Sequence, residues 1–176
     1  GADVAHLGAS DGPLIQARAK LHEYALVGRS AHDAAALRQA GADYLFVGPV
    51  FGESVPGLLL VSEAASDLPV ADATATPWFA SGGITEQNVD DVIDAGAVRI
   101  AVAGGILAAA DPTDAASSLS NRLRELWHDR TDLQAYTFKA LNAGGAGAAG
   151  PSGLVPPPPP AAAGADSDSG TDLQAP

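Results

Sequence analysis

Two glycine pairs carry the chemistry that is most legible in this chain. Gly82-Gly83 follows Pro77-Trp78-Phe79-Ala80-Ser81, and Gly104-Gly105 follows the apolar run Val98–Ala103. A strand that stops at glycines just before a helix leaves backbone N–H groups bare, and bare N–H groups hold anions, most often phosphate, without a side chain. Two such sites on consecutive strand–helix units predict a phosphate clamp at the C-terminal face of a parallel β/α array. The same glycines also suit tight strand-to-helix packing, and the two readings are compatible.

The elements that must position these pairs follow from a repeated pattern. Gly-Ala precedes the apolar runs at Val4–Leu7, Tyr44–Val47 and Val98–Val102, each glycine suiting the left-handed end of a helix and each run a buried strand. Apolar residues at three- and four-residue steps fill the gaps, as in Val89, Val92, Ile93 and Gly96. Helix starts are marked by Asp11 before Pro13, by Ser30, by Thr85, and by Asp111 with Pro112. The expected order is strand 3–7, helix 13–21, strand 24–28, helix 31–40, strand 43–48, helix 59–66, strand 76–80, helix 86–95 and strand 98–103. A turn at 105–109 and a helix at 112–128 follow. Such alternation predicts parallel pairing with right-handed crossovers, and strands apolar on both faces beneath covering helices. Five strands make an open fan, since a closed barrel of this type needs eight.

Composition limits the rest. The net charge is −12 and the only lysines are Lys20 and Lys139, which excludes a basic nucleic-acid footprint. An anionic ligand must therefore be held by backbone amides, a metal or the few arginines. Cysteine is absent, so disulfides and thiol chemistry are excluded. No run approaches the ~20 apolar residues that span a bilayer, and the expectation is a soluble, cytoplasmic protein without membrane partners. The chain starts at Gly1 and has no methionine, which suggests a processed or partial sequence. Two regions are expected: a partial barrel at 1–130, and a Pro/Gly/Ala-rich disordered tail at 131–176 with a polyproline rod at Pro156–Pro160.

Several motifs together resemble the thiamine phosphate synthase family, which includes the thiazole tautomerase TenI. They are His6-Leu7-Gly8 with Asp11 and Pro13; Val27-Gly28-Arg29-Ser30-Ala31-His32; Gly41-Ala42-Asp43-Tyr44 leading to Val47-Gly48-Pro49-Val50-Phe51; Pro77–Ala80 with Gly82-Gly83-Ile84-Thr85 and Asn88; and Ala95-Gly96-Ala97 through Val102-Ala103. The resemblance covers about residues 1–128 and implies an α/β fold: part of a TIM (β/α)₈ barrel, about strands 4 to 8. It implies an enzyme of thiamine biosynthesis that joins a hydroxymethylpyrimidine pyrophosphate to a thiazole phosphate, releasing pyrophosphate. The partners implied are small phosphorylated molecules, and homo-oligomerisation stays open. On its own this portion is expected to be inactive, with unpaired outer strands that favour association. The family's strand-two Gln-x-Arg-x-Lys and strand-three Asn-Asp patterns are not in this sequence.

The resemblance assigns roles residue by residue, beside simpler readings. Asp11 matches the family's metal-binding aspartate, for Mg²⁺; from spacing alone it reads as a helix N-cap. Ser30 matches a serine at the pyrimidine substrate, and equally suits an N-cap. His32 falls where TenI-like proteins carry a proton-transferring histidine, and otherwise reads as a first-turn surface residue. Gly82, Gly83, Gly104 and Gly105 would hold the thiazole phosphate, although the family often has serine at the position of Gly104. His6 reads as a satisfied barrel histidine rather than a catalytic one, and Arg29 as either a phosphate contact or a solvated side chain. After Phe51 the chain departs from the family's Pro-Thr-x-Thr-Lys loop: it has Gly52-Glu53-Ser54-Val55-Pro56, losing two threonines and a cation and gaining a carboxylate. A carboxylate there would repel pyrophosphate. That departure favours two alternatives, a TenI-like thiazole tautomerase and a catalytically silent phosphate- or partner-binding module.

Overall fold

The computed structural model describes residues 2–39, 41–52 and 57–143, except the side chains of 139–143. Five parallel strands, β1 (Val4–Leu7), β2 (Leu26–Ala31), β3 (Tyr44–Val47), β4 (Trp78–Ser81) and β5 (Ile100–Ala101), pair in chain order. Helices α1 (Leu14–Arg18), α2 (Ala34–Leu37), α3 (Gly57–Asp67) and α4 (Val89–Asp94) connect them in turn. The strand order never reverses. Right-handed crossovers then put every connecting helix on one side, the winding of a barrel wall rather than of a doubly wound sheet.

The core lies under those helices. Ala31, Leu45, Val47, Trp78 and Ala80 face it from the sheet and cluster with Leu37, Leu60, Val61, Ala64, Val92 and Leu119, and Val27 is also fully buried. Alternation along a strand sends the intervening residues to the other face. There polar side chains stand among apolar ones, and the expectation of helices covering both sides fails. His6, Ser30, Tyr44, Phe46, Phe79 and Ser81 occupy that face and are at most half-buried, and Val4 and Leu26 remain 52% and 49% exposed on it. No helix among the described residues covers it.

Element boundaries differ from expectation where pairing or turns override local signals. β2 runs to Ala31 because Ser30 pairs with Phe46 and Ala31 with Val47. Ser30 is therefore a strand residue, and its N-cap reading is wrong. Asp33 caps α2 instead, accepting from the Ala36 amide at 2.8 Å. Asp11 is not a cap either: Pro13 stands at that position, and Asp11 closes the preceding turn by accepting from Gly8 N at 2.6 Å. α1 and α2 are a single turn or little more, far shorter than the helices the spacing predicts. Asp111 does cap α6 (Pro112–Asp129), accepting from Thr113 N at 2.9 Å and Asp114 N at 3.0 Å.

The region assigned to a tail begins with a helix, α7 (Thr131–Ala143). Leu133 is fully buried, and the Arg99 guanidinium sits 5.5 Å from the rings of both Trp127 and Tyr136. These paired cation–π contacts tie α6, α7 and the segment entering β5 together. The polyproline run and the rest of the expected tail, 144–176, lie outside the described residues. None of the described helices is long and apolar enough to cross a membrane.

Candidate functional site

The two glycine pairs meet in one cleft. Ser81, Gly82, Gly83, Ile84, Gly104 and Gly105 line a cavity of about 610 Å³ at the C-terminal ends of β4 and β5, with Phe46 as its floor on the β3 side. Gly82 and Gly83 adopt φ of +93° and +73°, which a side chain would strain. A Cβ on Gly82 would lie 2.7 Å from the Pro49 Cα, and one on Gly83 2.8 Å from the Phe51 carbonyl oxygen. The close approach is zipped by backbone bonds from Val50 N to Ser81 O (2.9 Å) and from Phe51 N to Gly82 O (3.1 Å). Close packing therefore requires glycine at both positions.

The second pair begins a short helix, α5 (Gly104–Leu107). Gly105 is needed for packing, because a Cβ there would stand 2.1 Å from Ile84 O. Gly104 is different: a Cβ would meet nothing within 4 Å. Among the described residues, none of these four glycine amides donates to a loop, turn or side-chain acceptor. Among the described residues these amides remain available as donors, in a cavity without lysine or arginine in its wall.

Next to the cleft, the uncovered face of the sheet carries a polar cluster on an aromatic bed. His6 Nε2 is 3.0 Å from Ser30 Oγ, and His6 Nδ1 is 3.3 Å from Tyr44 Oη. The imidazole lies on Phe46, with ring centroids 4.5 Å apart, and Phe46 meets Phe79 edge-on at 5.8 Å. Phe46 therefore belongs to both the cluster and the glycine cleft. Ser30 and the glycines, far apart in sequence, share one surface.

His6 as a residue is exposed, yet its ring is wedged among Phe46, Tyr44 and Ser30. That partial desolvation lowers its pKa below the ordinary 6.5, and the Asp11 carboxylate works in the opposite direction. Asp11 follows the C-terminal end of β1, near enough for its charge to act on His6. Burial raises the Tyr44 phenol above its usual value, so it stays protonated as a donor.

His32 stands apart from this cluster. Its Nδ1 bonds the carbonyl of Gly48, and no hydrogen bond among the described residues joins it to Ser30 or the glycines. A carbonyl only accepts, so Nδ1 carries the proton and neutral His32 keeps Nε2 as a base. Arg29 alternates with Ser30 and pairs in register with Leu7, which turns it toward the helix-covered side. It is half-buried and forms no ion pair with a described residue.

No three His, Asp or Glu side chains gather as a metal cage among the described residues. Asp11 offers an exposed carboxylate at this end of the sheet. One carboxylate supplemented by ligand phosphate oxygens and water is a donor set Mg²⁺ accepts.

Sequence reasoning missed Phe46 and Tyr44, whereas the reading of His6 as a satisfied barrel histidine fits its two hydrogen-bonded ring nitrogens. The signal was present in the period-two pattern of Tyr44 and Phe46, but it needed the register of β2 against β3 to place both rings beside Ser30.

Comparison with known proteins identifies the family. A family model described as thiamine monophosphate synthase matches residues 1–106. A thiamine-phosphate synthase of Mycobacterium sp. (strain KMS) is 47% identical over 132 residues, which cover 70% of this chain and 56% of that protein. One from Nostoc sp. is 40% identical over 134 residues, covering 71% of this chain and 36% of the relative. Among solved structures, a thiamine phosphate pyrophosphorylase from Pyrococcus furiosus superposes with a TM-score of 0.60 at 28% identity, covering 70% of this chain and 60% of that one. The chain spans little more than half the length of the Mycobacterium relative, or less in the case of Nostoc. With a family model matching residues 1–106, most of the described residues, and a parallel barrel-wall fold shared with a solved relative, the chain belongs to the thiamine monophosphate synthase family.

Proposed function

We propose that this chain forms the phosphate-binding side of a thiamine-phosphate synthase, which joins a hydroxymethylpyrimidine pyrophosphate to a thiazole phosphate and releases pyrophosphate. The observation that carries the reading is the single surface running from Ser30 and His6, across Phe46, into the glycine cleft. It provides a polar edge for a heteroaromatic ring, an aromatic wall, and a set of amide donors for a phosphate.

The residues divide the task by chemistry. The amides of Gly82, Gly83, Gly104 and Gly105 hold the thiazole phosphate as preorganised dipoles, which need no rearrangement when it arrives. Ser30, fixed by His6, offers a hydroxyl to the pyrimidine, and Phe46 shields one side of the reacting pair from water. Holding both partners on one rigid sheet face converts an encounter in solution into a positioned one. In the reaction the thiazole nitrogen bonds to the pyrimidine methylene carbon as the carbon–oxygen bond to pyrophosphate breaks. Asp11 would hold Mg²⁺, which when bound neutralises charge on the departing pyrophosphate.

A second reading, thiazole tautomerisation, draws on His32. Its Nδ1 is committed to Gly48 O, which leaves Nε2 as an oriented base, and the Gly52–Pro56 sequence lacks the family's pyrophosphate-gripping residues. The two readings separate in a version extended to the length of the relatives. Release of pyrophosphate that depends on Ser30 and survives His32→Ala supports the synthase. Tautomerisation lost in His32→Ala, with no pyrophosphate release, supports the alternative. Neither activity in a folded protein removes both.

A further inference from the structure

We infer that Asn88 is a positioning residue that aims the amides of the Gly82–Thr85 turn at the bound anion, a role that rests on the phosphate reading of the cleft. Its side-chain Nδ2 donates to Gly83 O at 3.0 Å, and its Oδ1 accepts from Thr85 N at 2.8 Å. One planar amide thus grips two successive peptides with opposite polarity. Asn88 occupies the N-cap position of α4 but makes no side-chain bond to that helix. Its hydrogen-bonding capacity goes to the turn instead of to its own helix end, where a cap would ordinarily stabilise.

The consequence follows from peptide geometry. In a trans peptide the carbonyl and the N–H point in opposite directions. Pinning Gly83 O to Asn88 therefore turns the Ile84 N–H the other way. On the preceding peptide, Phe51 N holds Gly82 O at 3.1 Å and fixes the Gly83 N–H in the same manner. Ile84 lines the cleft, and its amide, like that of Gly83, has no loop, turn or side-chain acceptor among the described residues. Ile84 N–H is thus an added donor to the anion, and Asn88 is what orients it.

Two consecutive residues at positive φ make this turn intrinsically adaptable, since glycine crosses between backbone basins at little cost. A peptide flip would replace an N–H by a carbonyl oxygen, which repels phosphate. Asn88 blocks that flip at the Gly83–Ile84 peptide. An aspartate in its place could not do the same: it keeps an acceptor for Thr85 N but sets a carboxylate against Gly83 O.

The test is a titration of the ¹⁵N-labelled 176-residue chain with inorganic phosphate, reading amide shifts of Gly83, Ile84, Gly104 and Gly105. The wild type should show saturable shifts at all four. Asn88→Ala and Asn88→Asp should each weaken phosphate binding about tenfold and move the resting Ile84 amide signal. The distant Trp127 side-chain signal should stay in place, which a general loss of structure would not permit. If either folded variant binds within about twofold of wild type, the role of Asn88 is overturned while the cleft reading stands. If the wild type shows no saturable shift, both fail together.

Discussion

A side chain begun on Gly105 would place its first carbon 2.1 Å from the carbonyl oxygen of Ile84, whereas one begun on Gly104 would enter open space. The two adjacent glycines are therefore there for different reasons. Gly105→Ala should destabilise the fold by about 1–3 kcal/mol through forced backbone movement. Gly104→Ala should lie within about 0.5 kcal/mol of the parent, and Gly104→Ser should keep phosphate binding. Urea melts of the three variants check the order.

The His6 ring is expected to make stability pH-dependent. Because burial holds its folded pKa below 6.5, the unfolded chain takes up a proton first as pH falls. The native state carries no such penalty above pH 6.5, and stability declines as pH drops from there toward the lowered folded value. His6→Gln should flatten that part of the profile, measured as the urea midpoint between about pH 7.5 and 5.

Asp11→Asn separates charge from hydrogen bonding. The amide oxygen still accepts from Gly8 N, so the turn should survive with a loss of no more than about 1 kcal/mol. Removing the carboxylate removes the influence that raises the His6 pKa, so the imidazole should titrate lower still in a proton NMR titration. In a version of relatives' length, the Mg²⁺ concentration needed for half-maximal turnover should rise.

At the opposite end, α7 should be integral to stability. Leu133→Ala, at a fully buried position, should cost about 2–4 kcal/mol. Truncating the chain before Thr131 should also free Arg99 from one of its two rings, visible as a shift of the Trp127 indole resonance.

The β/α alternation, the order of the strands and the glycine cleft were legible because each rests on local signals: apolar runs, helical spacing, and glycine where strands end. The cleft required only that consecutive units stand side by side. What escaped reading depended on contacts between distant segments. Ser30 looks like a helix start until β3 extends β2 through it, and Asp33, three residues on, then takes the cap. His6 reads as a satisfied barrel histidine, but only the register shows that Tyr44 and Ser30 are what satisfy its two nitrogens. The helix at Thr131–Ala143 was hidden by the composition of the residues after it, although Leu133, Tyr136 and Thr137 already fall at helical spacing. The open face carrying Val4 and Leu26 could not be read at all, because apolar strands look the same whether one or two sides are covered.

The central claim is that main-chain donors at the ends of β4 and β5 hold a phosphate. Crystals of the chain soaked in phosphate test it most directly. One tetrahedral anion should occupy the glycine cleft, its oxygens about 2.7–3.1 Å from amide nitrogens of both glycine pairs. An anion bound elsewhere with this cleft empty, or one there held by side chains alone, would contradict it.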